Sequence, residues 1–155
     1  MATNGDSSVT WSVVHSRDRN LNIWVVKAVV IGDSGDGSVT AAVLPSTVVG
    51  GVCPGGGIGG AYCFKVHSIP GTAGQQPTAS WAFTLTDADS IDLLGGVGSG
   101  RSNSANQISV PKQDSAQALY GPVYLDPSGA LTLNVSGNSV ASAKMTIKLY
   151  CVSDG

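Results

Sequence analysis

The chain has 155 residues, only 12% of them charged, and a formal net charge of -2. That length suits one domain with a core of its own, and so weak and slightly acidic a charge leaves no footprint for a phosphate backbone. Nucleic acid is therefore excluded as the expected partner, while 21 glycines, recurrent Val, Ser and Thr, and the absence of Glu describe an all-β chain.

Met1–Ser8 carries neither a basic stretch nor an apolar core. Residues 1–8 are expected as a flexible polar arm without a secretory signal, and 9–155 as a single β-sandwich domain. Strand-like runs follow at Val9–Ser16, Ile23–Ile31, Val39–Leu44, Ala61–Ile69 and Ala79–Thr86. Others lie at Ile108–Val110, Val123–Leu125, Leu131–Val135 and Lys144–Val152. Turn-rich segments at Gly32–Gly37, Gly50–Gly60, Pro70–Pro77 and Gly95–Asn106 separate them. No window shows helical spacing, and no apolar run approaches a membrane span. About eight strands in this arrangement predict an antiparallel β-sandwich, jelly-roll-like.

The last two runs are the clearest. Leu131, Leu133 and Val135 alternate with Thr132, Asn134 and Ser136; Met145, Ile147, Leu149 and Cys151 alternate with Lys144, Thr146, Lys148 and Tyr150. A polar turn joins them, which predicts a hairpin with one buried and one wet face.

Gly50–Gly60 has few side chains to bury and is expected to be mobile unless a neighbouring subunit packs on it. Gly95–Asn106 is similar, with Arg101 its only charge. For both, contact with a partner and simple disorder stay open. Cys53 and Cys63 bracket the first loop, and a bridge between them is open, but reduced thiols buried as small hydrophobes are the expected state of Cys53, Cys63 and Cys151. No Cys/His spacing suits zinc.

Several motifs carry a suggestion of chemistry. Val29-Val-Ile-Gly-Asp-Ser34 resembles the first block of the GDSL/SGNH hydrolases, in which the serine attacks an ester and an Asp-x-x-His near the C-terminus supplies the base. Here His15 and His67 both fall in the first half and no Asp-x-x-His follows, so an esterase using Ser34 is the weakest of the functional readings. Gly95–Ser102 has Walker A spacing with Arg101 in place of the lysine, and Gly55–Gly60 fits G-x-G-x-x-G, but neither opens a helix that would hold phosphate. Asp87, Asp89 and Asp92 lack the further oxygen ligands of a calcium loop and are expected as solvated turn residues. Trp11, Trp24 and Trp81 lie in strand-like runs, where core packing is favoured over platforms for sugar rings. The expected set of catalytic, cofactor-binding and metal-binding residues is therefore empty: no enzyme, no cofactor and no small-molecule ligand. Asn134-Val-Ser136 matches a glycosylation sequon, which has no weight without a secretory route.

Tyr120–Ala143, with its Leu-Thr-Leu-Asn-Val-Ser-Gly-Asn-Ser-Val-Ala-Ser-Ala run and the Ile-Lys-Leu-Tyr that follows, resembles the ends of small virion proteins of tailed bacteriophages. Asp87–Asn106 is similar to the same group. The resemblance implies a capsid decoration, or cement, protein: a homo-oligomer, commonly a trimer, that binds the major capsid protein on the outer head and stabilises the shell. It would be made in the host bacterial cytoplasm and end on the virion. A tail- or fibre-associated protein binding host glycans is the alternative.

Overall fold

The computed structural model describes residues 5–114, 116 and 119–154. Its strands, in chain order, are β1 (Ser8–Asp18), β2 (Leu21–Ile31), β3 (Ala42–Val43), β4 (Tyr62–Pro70), β5 (Ala82–Thr86), β6 (Gln107–Ser109), β7 (Lys112–Asp114), β8 (Leu119–Tyr120), β9 (Val123–Tyr124), β10 (Thr132–Ser136) and β11 (Lys144–Asp154). One short helix, α1 (Ser46–Val49), and a 3-10 turn at Pro54–Gly56 interrupt them. Every strand pair is antiparallel, and the all-β sandwich expected from the alternation is what forms. The unforeseen strands, β7 and β8, pair with each other as a ribbon too short to leave a periodic signal.

The larger sheet runs β1-β2-β11-β4-β6, with β9 also on β4; the smaller runs β3-β10-β5. Alternation decides which side chains meet. Trp24, Val26, Ala28 and Val30 of β2 and Met145, Ile147, Leu149 and Cys151 of β11 are buried, in one cluster with Phe83 and Leu85 of β5 and Leu133 and Val135 of β10. Burial of these faces is the main favourable term holding the two sheets together.

The expected hairpin is corrected. β10 pairs with β3 and β5, whereas β11 pairs with β2 and β4, so the two strands lie in different sheets and residues 137–143 arch between them. Alternation reports that a face is buried but not which sheet it belongs to. The connection is also longer than the two to five residues usual in hairpins.

Asn138 shapes the arch. Its amide nitrogen donates to the carbonyls of Gly37 (2.7 Å) and Val140 (3.1 Å), while its oxygen accepts from the Thr78 (3.0 Å) and Val140 (3.2 Å) amides. Gly32 N–H donates to Ala143 O at 2.9 Å, fastening the other end to the end of β2.

The glycine loop is corrected too. Residues 46–61 pack on the chain's own core: Val48 and Ile58 are 0% exposed, Cys53 is buried, and Trp24 Nε1–H donates to Pro54 O at 2.9 Å. Backbone bonds from Ile58 to Val48, Gly59 to Val49 and Gly60 to Leu125 close it. Glycine permits this fold because the backbones approach so closely: a Cβ on Gly57 (φ 80°) would sit 2.4 Å from Val49 O.

Residues 1–4 of the expected arm lie outside the described residues. From Asp6 onward the segment is bonded to the sandwich, through the Asp6 carboxylate to Ser34 and through Ser7 Oγ to Thr40, and Ser8 already belongs to β1.

Candidate functional site

Ser34 follows the end of β2, and its hydroxyl donates to Asp6 Oδ2 at 2.6 Å. His15 pairs with Trp24, seven residues along β2 from Ile31, a distance of about 23 Å at strand rise. There its ring meets Asn22 Oδ1 at 2.9 Å and lies over Trp24. His67 is two strands from β2, opposite Lys148, which itself pairs with Lys27. The histidine that an activated Ser34 would need is therefore beside it in neither case.

His67 carries a pH signature instead. Desolvation, followed by the charges of Lys148, Lys65 and Arg101, lowers its pKa below the ordinary histidine value. The folded chain thus binds this proton less readily than the unfolded chain. Stability is expected to fall as pH drops through about 6.5, the unfolded value, and this contribution should level off below the folded pKa. Urea denaturation from about pH 7.5 to pH 5 should show a shallower acid-side decline in His67→Gln than in the parent. Parallel declines would contradict the assignment.

The loop with Walker-like spacing uses its charge inward. Arg101 is 3% exposed, and its guanidinium donates to Ser68 Oγ (Nε, 2.8 Å), Val97 O (Nη1, 3.0 Å), Ser109 Oγ (Nη1, 2.9 Å) and Gln107 O (Nη2, 3.0 Å). It also faces the Phe83 ring at 5.7 Å. Burial lowers its pKa from the usual arginine value. These donors fasten the loop to β4 and β6, and the Arg101 backbone bridges to Trp81 at the start of β5, so this residue joins the two sheets. Gly95–Asn106 is accordingly tied to the chain itself.

Of the three aspartates expected in solvent, Asp89 is exposed, while the other two also serve the backbone. Asp92 accepts from the amides of Leu85, Leu94 and Gly96, and Asp87 from those of Asp89 and Ile91. Among the described residues no group of His, Cys, Asp or Glu is arranged to hold a metal ion.

The three thiols are free and buried. The neighbouring pair is Cys63 and Cys151, matched across β4 and β11, rather than Cys53 and Cys63. Desolvation raises the Cys53 pKa, while the hydrogen bond that the Cys151 thiol makes to Cys63, then burial, raises that of Cys151.

Trp24 and Trp81 are 1% and 0% exposed, and Trp11 is half-buried. Two of the three tryptophans weighed as sugar platforms are thus closed to a ligand. The most exposed aromatics are Tyr62, Tyr120 and Tyr124 instead. Tyr62 and Tyr124 are paired across β4 and β9, with ring centroids 5.4 Å apart, and flank a groove of about 620 Å³. Its lining also includes Ile91, Lys112, Gln113 and Asp114.

A β-bulge makes this pair. The β4–β11 register shifts between Tyr150 and Cys151, which face Lys65 and Cys63 and leave Phe64 as the extra residue. Strict alternation from Val66 would place Tyr62 on the core face; the bulge turns Cys63 inward and Tyr62 outward. The sequence reading missed the groove for this reason, since its walls come from distant segments and its phase from one inserted residue.

Comparison of the chain with family models, curated proteins and solved structures gives no match. Among the described residues no helix is long and apolar enough to cross a membrane.

Proposed function

We propose that the chain is a structural protein of a tailed-phage particle that decorates the outer head, binding the major capsid protein as a homo-oligomer, a trimer by the resemblance above. The observation that carries the reading is β1. Among the described residues its eleven, Ser8–Asp18, pair with β2 on one side only, and Val14 on its outer face is 67% exposed. A long open edge is a liability for a solitary domain and a template for contact in a lattice, where many weak contacts act together.

The segments that resemble virion proteins also have structural work that fits such a scaffold. Tyr120–Ala143 includes β10 and the Asn138 arch, and Asp87–Asn106 includes the Asp92 turn and the Arg101 clamp. Cryo-EM of the virion tests the proposal. Density for the sandwich on the outer face of the head, with β1 at a contact, is the expected result; its absence from the head surface would overturn it.

A further inference from the structure

We propose that the Tyr62/Tyr124 groove is a binding site for neutral saccharide chains. The site is independent of the head-decoration reading, and it lies away from the tryptophans at which the sequence placed sugar contact.

Three observations converge on this ligand. First, the three exposed aromatic side chains gather at one place: Tyr62 (49%) and Tyr124 (48%) line the groove, and Tyr120 (58%) lies 5.3 Å from the ammonium of Lys112, itself a lining residue. Tyrosines left half-exposed offer a flat apolar face with a polar tip, the combination that suits a pyranose, whose C–H face is apolar and whose rim is hydroxylated. The two rings are tilted by 56°, forming a notch rather than a continuous plane.

Second, polar groups alternate with the apolar ones. Gln113 is held by its amide nitrogen on Pro122 O (3.1 Å), which fixes the side chain while its carbonyl oxygen remains an acceptor. Asp114 accepts the Ala116 amide at 2.8 Å through Oδ1, orienting the carboxylate in the same way. Lys112 supplies donors. Hydroxyls both donate and accept, so they can meet this mixed set, whereas a purely apolar side chain would leave these groups desolvated. The volume, about 620 Å³, has room for a short oligosaccharide.

Third, charge selects against acidic sugars. Lys112 against Asp92 and Asp114 leaves the lining with one net negative charge, which repels carboxylated or sulfated glycans.

A printed array of neutral and anionic oligosaccharides, followed by calorimetric titration of any hit, tests the site. The intact protein is expected to bind neutral hexose or N-acetylhexosamine chains. Tyr62→Ala and Tyr124→Ala should each weaken binding at least roughly tenfold, with Tyr124→Phe retaining most of it because the ring survives. Unchanged circular dichroism in all three variants would assign the loss to the groove. A blank array, binding confined to anionic glycans, or binding that survives both alanine variants would overturn the proposal. So would a blank array accompanied by self-association that Tyr62→Ala abolishes, since the groove would then hold a second copy of the chain.

Discussion

Arg101→Ala should destabilise the fold by about 3–5 kcal/mol, one of the two largest effects expected of a single substitution here. The side chain makes four hydrogen bonds, all to neutral acceptors, and is almost wholly removed from water. Alanine would strand Ser68 Oγ, which is 0% exposed, together with the Ser109 hydroxyl and the carbonyls of Val97 and Gln107. Stranding buried acceptors costs more than the net worth of the bonds they made, about 1–3 kcal/mol per group. It would also open a void beside Phe83. Arg101→Lys should keep the charge yet lose most of the stabilisation, because one ammonium cannot reach acceptors spread over β4, β6 and the loop backbone. Thermal or urea denaturation reads both variants, with a fall in Tm of about 6–20 °C for the alanine. A loss below about 1 kcal/mol would mean that the clamp does not carry the inter-sheet connection.

Asn138→Ala is the second, with an expected loss of about 2–3 kcal/mol. Four bonds to three segments end at this one amide, and they hold the arch against the Gly37 turn and Thr78. Asn138→Asp should recover little. It keeps the acceptor for the Thr78 amide but replaces the donor to Gly37 O, at 2.7 Å, with a negative charge facing that carbonyl. Urea denaturation of both variants gives the comparison, and equal stability of Asn138→Ala and the parent would remove Asn138 from its role. Arg101 and Asn138 act through separate bond sets, so their losses should add to within about 0.5 kcal/mol in the double variant.

These two residues also mark the boundary of what the sequence makes legible. Strand positions and buried faces were readable because alternation is local: Met145, Ile147, Leu149 and Cys151 declare their face with no knowledge of the partner strand. The sheet to which a strand belongs is set by distant pairings, so β10 and β11 read as a hairpin although Val135 meets Phe83 and Ile147 meets Ala28. Arg101 was noted only as the one charge of its loop, with no role inside the fold, because only the folded chain shows the Ser68, Ser109 and Gln107 acceptors, which come from two other strands. The Gly50–Gly60 loop read as mobile because its own side chains are few, yet Ile58 and Cys53, with Val48 ahead of them, suffice to anchor it once Trp24 caps Pro54 O. The Tyr62/Tyr124 groove was invisible because the bulge at Phe64 reverses the phase that alternation would assign to Tyr62.

The arch between the sheets is the central structural claim, since the core, the Asn138 bonds and the placement of both virion-like segments depend on it. Interstrand NOEs in solution test it most directly. The account predicts backbone contacts between Val135 and Phe83 and between Ile147 and Ala28, with Leu133 and Ile147 touching through side chains at most. A ladder of backbone contacts linking 131–136 directly to 144–150 would restore the hairpin and contradict the account.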